Sequence, residues 1–299
     1  MIQGDGFVIV TVTEQDTPAS LAQTYLGSRD KASWIADHLG VETLTPGEQL
    51  VIPQQMLVYG GVRANGFQTV PVLFYPRIDP DEENAQGTTA AAFEQHMHYL
   101  RANGYVTITL DRLHAFFNLE DQLPSKAVVV TFDSADRWVY DIAFPILERH
   151  GHIAAIFVPT DKIGNAGRLQ WRELADLAAK GFDIGASGSG SRVLTEIPAD
   201  SSADLYLKVV EDEIRLSRQL IEDHLTLPCL YFAYPEGQTN DLIIGLLKQY
   251  GYRLAFTRHS GDNPFFVNTF KVHRAAIDPQ ADVDRIRQTL STFIPAELQ

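Results

Sequence analysis

One apolar run in this chain ends on a carboxylate. Val128-Val129-Val130-Thr131-Phe132 reads as a strand, and Asp133 follows it directly. Groups at the C-terminal ends of strands are where an α/β barrel presents its chemistry, and a carboxylate held there can serve as a general base. Arg274 and His273 stand in a late apolar run, and His273 lies nearer the rim of Asp133. Metal-assisted hydrolysis would ask for about three ligands around one ion. The nine histidines do not supply them by spacing. His96 and His98 are two apart on a predicted helix and so point to different faces. His150 and His152 flank the start of a strand, on the rim opposite Asp133. His273 and Asp136 together still fall short of a ligand set.

The elements that would position these groups follow from hydrophobic periodicity. From residue 68 onward short β-branched runs alternate with helical patterns, which predicts an α/β barrel. Strands are expected at Val70–Tyr75, Val106–Leu110, Val128–Phe132, Ile153–Val158, Phe182–Ala186, Leu230–Tyr234, Leu254–Thr257 and Val272–Ile277. Helices are expected at 90–102, 138–149, 171–180, 203–224 and 240–250. The acidic stretch Asp79–Asn84 reads as a solvated loop. Residues 7–53 form a separate small pattern of strand, two short helices and strand. Asp16-Thr17-Pro18 signals the first helix start, and Gly27 its end. Trp34, Ile35 and Leu39 mark the second helix, Pro46-Gly47 a turn, and Leu50–Pro53 the closing strand. Residues 54–67, with Gly60-Gly61, read as a linker, leaving 68–295 as the large domain.

Composition narrows the partners. The 299 residues are 45% hydrophobic and 21% charged, enough for a sizeable core. A formal charge of −14 argues against nucleic acid, whose phosphates need clustered Lys and Arg. It suits neutral glycans, or a cationic polymer such as partly deacetylated glucosamine. No apolar run reaches the ~20 residues of a membrane helix. Cys229 is the single cysteine, so no intrachain disulfide is possible. The start, Met1-Ile2-Gln3-Gly4-Asp5, lacks the basic and apolar regions of a signal segment.

The words "DTPASLAQTYLG", "WIADHLGV" and "LTPGEQLVIP" resemble a LysM module. That resemblance implies a βααβ unit that binds N-acetylglucosamine polymers beside its two strand–helix loops. Asp16, Thr17, Pro18, His38 and Thr45 are then the glycan-binding candidates. His38 stands where the family often has Asn.

The large domain resembles the NodB-homology domain of polysaccharide deacetylases, carbohydrate esterase family 4, in particular its poly-N-acetylglucosamine deacetylase branch. The matching stretches include "FQTVPVLFYPR", "LPSKAVVVTFDSADR", "AFPILERHGHIAAIFV", "WRELADLAAKGFDIGAS", "FAYPEGQTN" and "KVHRAAID". The resemblance implies a deformed (β/α) barrel of about seven strands. It also implies a metal held by one Asp and two His, with a second Asp as base. The family's Thr-Phe-Asp-Asp-Gly is here Thr131-Phe132-Asp133-Ser134-Ala135, so the base position keeps Asp133 and the ligand position holds Ser134. The family's Ser-His-x-x-x-His is replaced by a stretch in which Ser187 and Ser191 hold the two histidine positions. A serine hydroxyl is a poor zinc ligand near neutral pH. The glycines at 188 and 190 predict a floppy loop. Tyr234-Pro235-Glu236-Gly237 matches the groove-shaping Tyr-Pro-Tyr-Gly turn with Glu236 in place of the second aromatic, and Pro76 replaces a rim histidine. Arg274 matches a family arginine near the end of a late strand, which implies a pair with Asp133, either at the site or as a plain structural ion pair.

Three readings stay open at this point. The first, which the degenerate motifs favour, is a catalytically inactive homologue, without cofactor, that binds N-acetylglucosamine-containing polysaccharide or peptidoglycan. The second is an active N-deacetylase with a non-standard zinc-type site. The third is a structural protein of an envelope or exopolysaccharide assembly. The resemblance implies a bacterial envelope or extracellular location, while the plain N-terminus leaves a cytoplasmic one open.

Overall fold

The computed structural model describes residues 2–4, 7–32, 35, 44–53, 60–63, 65–81, 83, 85–190, 192–196 and 202–296. The chain divides into two compact units, Met1–Val58 and Tyr59–Gln299. In the first, β1 (Ile2–Gly4), β2 (Phe7–Thr11) and, after helix α1 (Pro18–Leu26), β3 (Gln49–Pro53) make an antiparallel sheet in the order β1-β2-β3. Alternation along β2 and β3 turns Val8, Val10, Leu50 and Ile52 inward onto Leu21, Ala22 and Leu26. Thr17 caps α1: its hydroxyl accepts from Ser20 N, and the Ser20 hydroxyl accepts from Thr17 N in return. Gly27 ends the helix at φ +78°. Strand β1 carries no periodicity that would announce it. Of the expected second helix only Ile35, buried, is described; Trp34, His38 and Leu39 lie outside the described residues.

The second unit opens with β4 (Val62–Arg63), β5 (Gly66–Gln68), β6 (Val72–Phe74) and a small parallel pair, β7 (Ile78–Asp79) and β8 (Thr88–Thr89). Helix α2 (Ala90–Ala102), β9 (Val106–Thr107), α3 (Leu110–Phe117) and β10 (Ala127–Asp133) follow. The chain continues through α4 (Phe144–His150), β11 (Ala155–Val158), α5 (Trp171–Ala179), β12 (Asp183–Ala186) and the long α6 (Ala203–Leu225). It closes with β13 (Tyr231–Ala233), α7 (Asp241–Gln249), β14 (Leu254–Phe256), β15 (Ala275–Ala276), α8 (Val283–Thr289) and β16 (Phe293–Pro295). Seven parallel strands curl in the order β14-β13-β12-β11-β10-β6-β15, with β9 beside β10. This is the α/β half-barrel the strand–helix alternation predicts. Strand β16 pairs with β5 and β5 with β4, both antiparallel.

Two apolar layers follow from the period of two along β10. Val128, Val130 and Phe132 pack outward under the helices, whereas Val129 joins Val72, Phe157, Tyr231 and Phe256 inside the curl. Four expectations are corrected. The stretch 54–67 is not linker throughout, since β4 and the start of β5 lie in it and belong to the second unit, where β5 pairs with β16. The run at Val106–Leu110 is strand only to Thr107, because the Thr109 hydroxyl accepts from Arg112 N and starts α3, a helix the periodicity hid. The helix expected at 138–149 is a wide π turn at Val139–Ala143 that passes into α4. Asp79 is buried rather than solvated: its carboxylate accepts from Gln86 N, Gly87 N and Arg77, which folds the acidic loop back on itself.

Candidate functional site

Asp133 is the last residue of β10 and sits at the mouth of the curl, in register with Phe157 of β11. Arg274 lies opposite it, wholly buried. Its two terminal nitrogens donate to the two carboxylate oxygens of Asp133 at 2.6 and 2.7 Å, and its Nε donates to Thr257 O at 2.7 Å. The guanidinium lies 4.5 Å from the centre of the Phe74 ring. A planar fork matched to a carboxylate is the geometry that lets arginine remain charged without water. Both oxygens of Asp133 are therefore engaged, and Arg258 adds a second positive charge with its Nε 3.9 Å from Asp133.

The residues at which the resemblance implies metal ligands do not fit an ion. The Ser134 hydroxyl accepts from Asp136 N at 2.9 Å. The Ser187 hydroxyl donates to Ala233 O at 3.1 Å. Ser191 lies outside the described residues. The Asp136 carboxylate is ion-paired to Arg168. His273 does not join the mouth: its ring packs against Gly261, while its backbone N donates to Asn263. Among the described residues no three His, Cys, Asp or Glu side chains gather as a ligand set. The remaining imidazoles do other work. His96 links Tyr75 OH to Ala281 O, and His152 bonds Met97 O; burial lowers the pKa of both.

The loop after β12 is not floppy. Gly188 takes φ +73°, and the loop backbone is tied to its neighbours by Thr160 N donating to Gly188 O and Asp161 N to Ser189 O. From the other side one oxygen of Glu213, on α6, accepts from Ser189 N, the Ser189 hydroxyl and Gly190 N at 2.6, 2.8 and 2.9 Å. Glycine freedom is here used to wrap a carboxylate rather than left as disorder. Sequence reasoning missed Glu213. The available signal is a charged residue beside Ile214 and in step with Val210 and Ser217 on the buried face of α6.

The turn after β13 departs from its expected role. Tyr234 is wholly buried in the outer core with its hydroxyl on Phe270 O, so it does not face the groove, and Pro235 is buried beside it. Glu236 carries the exposed part of that turn, at φ +53°, and is ion-paired to Arg258. Pro76 is exposed at the end of β6. In the first unit, Asp16 accepts from Thr13 N and the Thr13 hydroxyl, which together lower its pKa, and Thr17 is occupied as a cap with Pro18 behind it. The Thr45 carbonyl accepts from Glu48 N.

Residues 120–255 match the polysaccharide deacetylase family. The structure superposes on the Streptococcus pyogenes deacetylase PplD in complex with acetate with a TM-score of 0.68 at 20% identity, covering 75% of this chain and 98% of that one. The second unit has the NodB-like polysaccharide deacetylase fold. IcaB from Ammonifex degensii gives a TM-score of 0.64 at 24% identity over 76% of this chain and 99% of that one. In sequence, the NodB-like region is 24% identical over 208 residues to the poly-beta-1,6-N-acetyl-D-glucosamine N-deacetylase of Staphylococcus epidermidis, spanning 68% of this chain and 67% of that protein.

Proposed function

We propose that the chain binds N-acetylglucosamine-containing polysaccharide through the mouth of the NodB-like unit, without metal-dependent deacetylation. The donor chemistry around Asp133 carries this reading. Hydroxyls stand at 134 and 187, each spent on a backbone partner, and the carboxylate is already clamped by Arg274. Neither hydroxyl gives up a proton near neutral pH, so a divalent ion finds no anionic donor there. What remains is a rim with a partly exposed guanidinium, a carboxylate and backbone carbonyls, which suits hydroxyl- and amide-bearing sugars. The name of the staphylococcal relative supports the glycan class. A LysM-like first unit, with β2 and β3 antiparallel around α1, would add a second contact to the same polymer, and the two together fit a place at a bacterial envelope or in its exterior matrix.

Active N-deacetylation with an unfamiliar ligand set is the second reading, favoured by the retained Asp133–Arg274 pair and by the relatives. Acetate release from N-acetylglucosamine oligomers in the presence of zinc, cobalt or nickel separates the two. No turnover is expected. Chelator-sensitive release that Asp133→Asn abolishes would establish the second reading instead.

A further inference from the structure

Successive backbone N–H groups flanking a left-handed residue form a concave nest that takes an anion. The loop after β12 has this form: Gly188 is at φ +73°, and Ser189 N and Gly190 N point to one place. The anion in it belongs to the chain itself. Glu213 reaches the nest from the middle of α6, where Val210, Ile214 and Ser217 bury its stem and the Ser217 hydroxyl donates to the Glu213 carbonyl. A Cβ on Gly188 would come within 3.1 Å of one carboxylate oxygen, and a Cβ on Gly190 within 3.2 Å of the other. The loop so held begins at Ser187, whose hydroxyl donates to Ala233 O of the neighbouring strand β13.

We propose that Glu213 is a positioning residue for the glycan groove: its carboxylate is an internal ligand that fixes loop 187–190, at whose first residue, Ser187, the resemblance puts one of two metal-binding histidines. The assignment rests on the glycan-binding reading for its consequence, and on the loop geometry alone for its cause. Three donors converge on a single oxygen, and bonds of this charge-assisted kind are short and strong. A neutral amide at this position would have to turn its acceptor toward all three donors with half the charge, and alanine would leave the nest open to an outside anion.

The test uses the full chain with Glu213→Ala, Glu213→Gln and wild type, read in two ways. Amide hydrogen exchange at Ser189 and Gly190 reports the loop, and titration with N-acetylglucosamine oligomers reports the groove. Glu213→Ala is expected to lose protection at those two amides and to bind oligomer roughly 10- to 100-fold more weakly, as losses behind a binding group do. Formate or acetate, small enough to enter the vacated nest, should restore both, and should leave the wild type unchanged. Glu213→Gln should fall between. Rescue is the readout a general loss of packing would not give. Unchanged exchange in Glu213→Ala, or lost exchange protection with unchanged oligomer affinity, overturns the assignment. A wild type that binds no oligomer overturns the glycan reading instead, and the exchange and rescue arms still decide whether Glu213 fixes the loop. Failure of both variants to fold, shown by loss of the far-ultraviolet spectrum, would assign Glu213 to the core and overturn its positioning role.

Discussion

Asp183 opens β12 at the end of the curl away from Asp133, half-buried, with one carboxylate oxygen accepting from Leu110 N at the start of α3 at 2.7 Å. Burial pushes its pKa up from 3.8 to about 7; the Leu110 bond opposes this and the nearby Asp111 charge adds to it. Tyr231, bonded to Asp111, and Arg253, 3.7 Å from Asp111, complete the surroundings, and His114 lies on the same helix as Asp111. A carboxyl whose pKa rises on folding holds its proton in the native state after the unfolded chain has lost it. Its contribution is therefore fully present below about pH 4 and is lost progressively as pH rises toward 7. A shift of about 3 pH units corresponds to roughly 4 kcal/mol at most, and solvent access at a half-buried site brings the expectation nearer 2. Asn at this position keeps the acceptor for Leu110 N and removes the ionisation. Urea unfolding of wild type and Asp183→Asn between pH 4.5 and 7.5 should show the variant gaining on the wild type by about 2 kcal/mol over that range. Parallel pH profiles, with a constant difference between the two proteins, would refute the argument that Asp183 is protonated in the folded state.

Arg274→Met should destabilise the barrel by about 3–5 kcal/mol, because Asp133 is left buried and unpaired, and the double variant with Asp133→Leu should recover most of that; a single variant within 1 kcal/mol of wild type in urea unfolding would count against the pair as a buried clamp. Thr17→Ala should cost the first unit about 1 kcal/mol through loss of its cap, measured by amide exchange along α1. Cys229 is fully buried and desolvation pushes its thiol up to about 12, so it should resist thiol reagents in native protein and react at once in urea. Ser134→Asp with Ser187→His and Ser191→His should raise zinc affinity into the micromolar range by calorimetry while leaving acetate release low, since Pro76 and Glu236 still stand where the resemblance implies rim groups.

Strands β6, β10 and β11 were legible because each lies in an apolar run rich in β-branched and aromatic residues. Val128–Phe132 differs from the observed β10 only by one residue at each end. Helix α3 was not legible, since Val106-Thr107-Ile108-Thr109-Leu110 alternates as a strand does. Only the Thr109 side chain, bonding back to Arg112 N, breaks the pattern. Asp133 could be placed at a strand end from its position in sequence, whereas Arg274 was matched to it only through the family resemblance. Glu213 could not, because a carboxylate on a helix 24 residues away from Ser189 meets the loop only through tertiary packing. The loss of Tyr234 from the groove has the same cause. One residue's shift in a period of two turns a side chain from the mouth to the outer core, and Tyr234 falls on the side of Phe232.

These placements explain how the curl keeps its mouth ordered with hydroxyls at 134 and 187. An ion-binding site ordinarily holds its strand ends together by offsetting loop entropy with coordinate bonds. Here the strand ends are joined by an ion pair and hydrogen bonds. Asp133 and Arg274 tie β10 to the segment before β15, with Arg274 also bonded to Thr257 after β14. Ser187 bridges β12 to β13, and Glu213 joins the next loop to α6. Each is a closed set in which the buried charge or hydroxyl has its partner, so none depends on an ion to be satisfied. Stability of the rim and binding of a metal are therefore separable in this chain. The same interactions that order the mouth also occupy both oxygens of Asp133 and the hydroxyls at 134 and 187. Introducing ligands at 134, 187 and 191 alone would consequently place an ion in a mouth where Asp133 is still held by Arg274.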